Sequence, residues 1–229
     1  MTLCIRTLLT IFTALACFAQ GADKEYRPEF IAADFTTKIT NPFYPLTPGT
    51  VLKYTETGGR ERVDKTAEVI RETRVVMGVR CVVVTEIGLV DGTLREKAHG
   101  WFAQHKDGSV WFFGEDAKEF LPGGRVTTAG SWEAGVNGAQ PGVVMPGRLT
   151  VGFRYRQEYL RGVAEDVAEI SSLRGKASAP AGEYADCVLT RDWSMLESGS
   201  TKKWFARGVG LVRSETVGEQ CVLISSSRK

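Results

Sequence analysis

The chain has 229 residues, of which 43% are hydrophobic and 10% aromatic, and its formal net charge is +2. That supply of apolar side chains suffices for a packed core and excludes a globally disordered chain. The near balance of charge excludes an electrostatic nucleic-acid binder, because basic residues such as Arg60, Arg62, Lys202 and Lys203 are interspersed with Asp and Glu.

The N-terminus differs from the rest. Arg6 supplies one positive charge, residues 8–19 are apolar and uncharged, and from Gln20 the chain turns polar. This is the three-part layout of a secretory signal, and the apolar run falls short of a membrane span of roughly 20 residues. Residues 1–22 are therefore expected to be a signal peptide, cut after Ala19 or Ala22. Ala14-Leu15-Ala16-Cys17 loosely resembles a bacterial lipobox and offers lipidation at Cys17 as another route. The mature chain is expected to be secreted or periplasmic, without a transmembrane span, and residues 23–229 to form a single β domain. Cys81, Cys187 and Cys221 remain, each beside a β-type run such as Cys-Val-Val-Val. One disulfide and one buried thiol is the simplest account in an oxidising compartment. No CxxC or Cys/His spacing points to a metal, and no metal or cofactor is expected.

Residues 23–50 read as an irregular lead-in, ending in the proline-rich Asn41-Pro-Phe-Tyr-Pro-Leu-Thr-Pro-Gly49. From Val51 the pattern is β. Lys65–Arg74 fits helix and strand equally, but the β-branched run from Val75 through Gly78 to Thr85 favours strand. Asp91-Gly92 and Asp107-Gly108 each lie between apolar runs and signal hairpins. Residues 114–150 are rich in glycine and proline and read as a long connection, with one short hairpin at Arg125-Val-Thr-Thr. In the strand after it, Arg154, Arg156 and Glu158 should share one face, and Tyr155, Gln157 and Tyr159 the other.

The chain also repeats itself. Gly49-Thr-Val-Leu-Lys-Tyr54 parallels Gly152-Phe-Arg-Tyr155, and Cys81-Val-Val-Val-Thr-Glu parallels Cys187-Val-Leu-Thr-Arg-Asp. Downstream of a glycine turn, Trp101-Phe-Ala103 parallels Trp204-Phe-Ala206. The expectation is an antiparallel β-roll or open barrel of two duplicated meanders, unit one at about 49–113 and unit two at about 151–225. Each meander has one apolar face that it cannot cover alone.

Several segments resemble a family of secreted bacterial all-β proteins of the half-barrel or β-roll type. They are Asn41-Pro-Phe-Tyr-Pro-Leu-Thr-Pro-Gly-Thr, Trp111-Phe-Phe-Gly-Glu-Asp, Gly130-Ser-Trp-Glu-Ala-Gly-Val-Asn-Gly-Ala-Gln-Pro-Gly and Tyr155-Arg-Gln-Glu-Tyr159, together with the closing Lys203-Trp-Phe-Ala-Arg-Gly-Val-Gly-Leu-Val-Arg-Ser-Glu. The resemblance spans nearly the whole mature chain. It implies a fold and no catalytic residue.

No hydrolase, zinc-protease or nucleotide-binding motif stands in a suitable context. His99 and His105 lie six apart on one strand, roughly 20 Å if extended, too far to share a metal. Ser131 has no histidine partner in the sequence. Glu115, Asp116 and Glu119 cluster after Trp111-Phe-Phe-Gly and, with Glu133, could act as a carboxylate pair or oxygen ligands, although no calcium-loop spacing exists. The glycine-rich stretch beside them is the best place for function, since loops on a rigid sheet carry sites. The candidate ligand-binding residues are Trp111, Glu115, Asp116, Trp132, Glu133, Arg154 and Glu158. They favour a non-catalytic envelope module for a small or lipid-like ligand, its partner a small molecule or an envelope component. The alternatives are a hydrolase using the acidic-loop carboxylates and a structural or protein-interaction protein.

Overall fold

A computed structural model describes residues 26–58 and 61–228. The expected signal segment, both expected cleavage points and Cys17 lie outside the described residues.

Among the described residues sixteen strands follow in chain order. The lead-in gives β1 (Phe35–Thr36), after a single 3-10 turn at Ala32–Asp34. The first meander is β2 (Thr50–Thr57), β3 (Val63–Val76), β4 (Val79–Val90), β5 (Thr93–His105) and β6 (Val110–Phe120). Short pieces follow: β7 (Val126–Thr127), β8 (Trp132–Glu133), β9 (Gln140–Met145), β10 (Arg154–Arg156) and β11 (Glu158–Tyr159). The second meander is β12 (Asp166–Ala179), β13 (Gly182–Ser194), β14 (Thr201–Ala206), β15 (Gly210–Thr216) and β16 (Glu219–Arg228).

Among the described residues thirteen of them pair antiparallel in the order β10-β12-β13-β14-β15-β16-β2-β3-β4-β5-β6-β9-β11, while β1 pairs with β5, and β7 and β8 pair with β6. The sheet curls into a nearly closed barrel with one unsealed seam, between β10 and the β9–β11 pair. There Gly142 of β9 passes so close to the other edge that a Cβ would stand 2.3 Å from the Gln157 carbonyl carbon. Arg156 of β10 lies over Tyr159 of β11 at 5.1 Å and over Tyr26 at 5.8 Å, so the start of the described chain straddles the seam.

The long arm β3–β4 turns at Met77-Gly78 and the next hairpin at Asp91-Gly92. Both residues of each pair are left-handed (φ +49° and +77°; +49° and +76°), as the hairpin twist requires. Within a strand, side chains alternate between faces. One face of β5 and β6 presents Phe102, stacked on Phe112 at 4.7 Å, and Tyr44 from the proline-rich lead-in bridges Phe102 (6.1 Å) to Phe205 of β14 (6.0 Å). The three prolines thus carry an aromatic plug into the barrel.

The two meanders share a register. Val83, two residues past Cys81, faces Trp101, and Leu189, two past Cys187, faces Trp204. Val69 and Arg74 lie opposite Val84 and Cys81, and Ile170 and Gly175 lie opposite Thr190 and Cys187. Both arms therefore take up five steps on one strand against three on the next, in one register shift between Val69 and Thr73 and in two between Ile170 and Gly175. The Gly49 N–H donates to Val69 O at 2.7 Å and the Gly152 N–H to Ile170 O at 2.8 Å. By that register Leu52 holds the position in its meander that Tyr155 holds in the other, since they face Ala67 and Ala168; Tyr54 is two residues off the place the sequence repeat gives it.

Three expectations need correction. The stretch 114–150 is not one long connection: β6 runs on to Phe120, and β9 is a sheet strand between β6 and β11. The strand at 154–159 is broken at Gln157, because Arg154–Arg156 pairs with β12 and Glu158–Tyr159 with β9 across the seam. No disulfide forms among the described residues: Cys81, Cys187 and Cys221 are free and buried.

Candidate functional site

A bulge builds the site. On β5 and β6, Phe102 faces Phe112 and Gly100 faces Glu115, leaving Phe113 and Gly114 together opposite Trp101. Gly114 adopts φ +125°, and a Cβ there would lie 2.3 Å from Trp132 O, so only glycine lets β8 approach. β8 then pairs in register, Gly114 with Glu133 and Glu115 with Trp132. The Ser131 hydroxyl donates to Ala117 O at 3.0 Å and accepts from Ala117 N–H at 2.9 Å, fastening the entry of β8 to β6. Left-handed Asn137 and Gly138 turn the chain back beyond it.

The β3–β4 arm closes the other side. Its Arg74 guanidinium lies 4.1 Å from the Trp101 ring centroid and donates to Glu133 Oε2 at 2.6 Å. Arg74 is 47% exposed, Glu133 30% and Trp101 4%, so the ring is a buried floor under a half-exposed ion pair. Glu115, Asp116, Trp132, Asn137, Val136 and Leu160 complete an open groove of about 350 Å³ with Arg74, Trp101, Ser131 and Glu133. Three carboxylates against one guanidinium make the groove acidic and rich in acceptors. Burial pushes the Cys81 thiol, opposite Arg74 within the arm, up to about 12, so it stays protonated.

The groove gathers Glu115, Asp116, Trp132 and Glu133 of the sequence candidates. It does not include Trp111, which packs with Phe30 (5.9 Å) and Phe35 (5.7 Å) of the lead-in. Arg154 is paired with Glu169 at 2.5 Å on the far sheet edge. Glu158 is 4% exposed on β11 and does not share a face with Arg154. His99 lies opposite Asp116, its Nδ1 3.1 Å from Thr85 Oγ1; burial and Lys97 lower its pKa against the pull of Asp116. His105 Nδ1 lies 3.0 Å from Asp107 Oδ1. No group of three or more His, Cys, Asp or Glu among the described residues could hold a metal ion. No helix among them is long and apolar enough to cross a membrane.

A second polar cluster, absent from the sequence candidates, lies inside the barrel. Lys65 pairs with Glu56, and Lys203 Nζ lies 2.8 Å from Asp192 Oδ2, with both lysines and Asp192 buried. The Thr190 hydroxyl donates to Asp192 Oδ1 at 2.5 Å. Burial pushes Glu86 up, and Glu96 up to about 7. The space among Lys65, Ala67, Glu86 and Glu96 is about 10 Å³, room for about one water. The sequence does hold a signal for this cluster: Lys65 alternates with Ala67 and Val69, and Glu86 with Val82 and Val84, a charge on an otherwise apolar face. Arg74 carries no such mark, because only the folded-back arm brings it over Trp101.

No family model matches the chain, and no curated protein matches it. Among solved structures it is similar to a candidate exported protein of YmcC-like fold from Bacteroides fragilis, at 13% identity and a TM-score of 0.48, covering 81% of this chain and 99% of that one. It is also similar to a candidate lipoprotein from Parabacteroides distasonis, at 15% identity and a TM-score of 0.43, covering 81% of this chain and 98% of that one.

Proposed function

We propose that the protein is a non-catalytic binding module of the cell envelope that holds a small, donor-rich polar ligand in the groove beside Trp101. The observation that carries this reading is the convergence of Glu115, Asp116 and Glu133 with the stacked Arg74 in one open groove of about 350 Å³. A ligand bearing hydroxyls or amines suits those acceptors. A lipid-like ligand fits less well, because the concave side is filled by Tyr44, Phe102, Phe112 and Phe205. A hydrolase also fits less well: the carboxyls that burial pushes up, Glu86 and Glu96, stand around the water-sized interior space and not in the groove. Export rests on the layout of residues 1–22.

The same reading includes descent of both halves from one β unit, supported by the shared bulge and the shared cysteine–tryptophan register. The stacked guanidinium belongs to the first half, since Gly175 stands in the second where Arg74 stands in the first.

The test is native mass spectrometry of protein purified from its source, beside an Arg74→Ala/Glu133→Ala variant of unchanged circular dichroism. A co-purifying adduct on the natural protein, reduced about tenfold or more on the variant, is the expected result. An adduct equally present on both, or on neither, refutes the groove as the site.

A further inference from the structure

We propose that the uncovered edge of β12 takes up an extended acidic peptide segment as an added strand. β12 has β13 on one side along its length. On the other side β10 reaches only Val167–Glu169, and Ile170 exchanges backbone bonds with Phe153 and Gly152. From Ser171 to Ala179 no described strand covers that edge, a length of about 30 Å. Arg213 Nη1 donates to Ser178 O at 3.1 Å, and the Arg174 N–H donates to Ser172 Oγ at 3.0 Å. Such a row of N–H and C=O groups is a template for another strand, and main-chain bonds to it supply affinity while side chains select the partner.

Two features define what fits. Arg174 and Lys176 are the only ionic side chains from Ser171 to Ala179, and both stand on the exposed face, since Gly175 and Ala177 are buried. An added strand with acidic residues at alternate positions brings a carboxylate opposite each of them. Apolar side chains also flank the edge where the covered part ends: Val151 is 57% exposed, Phe153 48% and Leu173 37%. A second copy of this chain is the wrong occupant. In the register that pairs Ser171–Ala179 with itself, Arg174 of each copy would lie opposite Lys176 of the other, and like charges directly opposite repel. The matching edge of β3 beyond Val69 lacks this selectivity, because Glu72 stands between Arg71 and Arg74.

The experiment uses the purified full chain, two fluorescein-labelled peptides of nine residues alternating Val with Glu or Val with Lys, and anisotropy at low salt. The Glu peptide should bind about tenfold tighter than the Lys peptide, and Arg174→Glu/Lys176→Glu should reverse the order. Hydrogen exchange should show Ser171–Ala179 protected when the Glu peptide is bound. The proposal is overturned by equal binding of both peptides, by binding without protection of that segment, or by a dimer in sedimentation that the double variant abolishes. Unaltered melting of the double variant shows that the change acts at the edge and not on the fold.

Discussion

The Arg74 guanidinium lies 4.1 Å over the Trp101 ring, and at the same register in the other meander a Cβ on Gly175 would stand 3.2 Å from Trp204 Cδ1. Each long arm therefore folds back over one tryptophan of its own meander, once with the largest cationic side chain and once with none. Where the side chain is large, it stacks on the ring and lines the groove. Where it is absent, the backbone closes onto the ring.

Arg74→Ala should lower stability by about 1 kcal/mol, the worth of a half-exposed cation–π contact with its ion pair. In a domain of this size that shifts the melting midpoint down by about 2–4 °C. Thermal melts followed by tryptophan fluorescence test this, and an unchanged midpoint would show that the stacked arginine does not hold the arm.

Gly175→Ala meets a tighter obstacle. Its new Cβ would stand 3.0 Å from Cys187 O and 3.2 Å from Trp204 Cδ1. The overpacked arm should cost about 1–3 kcal/mol. Chemical denaturation measures it, and a loss no larger than that of Arg74→Ala would mean the arm is free to lift.

Glu96 makes stability fall as pH rises. Burial, with Glu86, Glu119 and Glu56 nearby and only Lys65 opposing, raises its pKa in the folded chain from 4.5 to about 7. The folded state therefore holds a proton that the unfolded state releases. The resulting stabilisation is full below 4.5 and is lost as pH passes about 7, at most about 3 kcal/mol. Asp64 and Asp107, held below their ordinary 3.8, contribute on the acid side of this window. Between about pH 5 and 8 the melting midpoint of the natural chain should decline, and that of Glu96→Gln should decline less. Parallel slopes would contradict it.

The three buried thiols should be silent in the folded protein. Cys81, Cys187 and Cys221 are each at most 2% exposed, and burial raises the first two. A chromogenic disulfide reagent added without reductant should label none of them until denaturant is added, then all three. Two unreactive cysteines after denaturation without reductant would reveal a disulfide.

Much of the barrel is legible in the chain. Asp91-Gly92 marks a hairpin because both residues accept left-handed backbone, and the runs around Cys81 and Cys187 read as strands from their β-branched side chains. The cluster Glu115, Asp116, Trp132 and Glu133 is legible as a neighbourhood, since β8 returns onto β6 after a short excursion. The single strand face expected for Arg154 and Glu158 does not form, because periodicity is blind to a strand that changes partner at Gln157. Arg74 is hidden for another reason. Its contact with Trp101 depends on the bend that the bulge between Val69 and Arg74 puts into the arm, and a bulge leaves little trace in residue types.

The pairing of β16 with β2 has a consequence for how the molecule is made. It joins the two meanders in the middle of the sheet, yet its strands are Thr50–Thr57 and Glu219–Arg228, near opposite ends of the described chain. Contacts so distant in sequence form late and slowly. A chain emerging from its N-terminus lacks this joint until Glu219–Arg228 are free, and until then the two meanders stand as separate partial sheets.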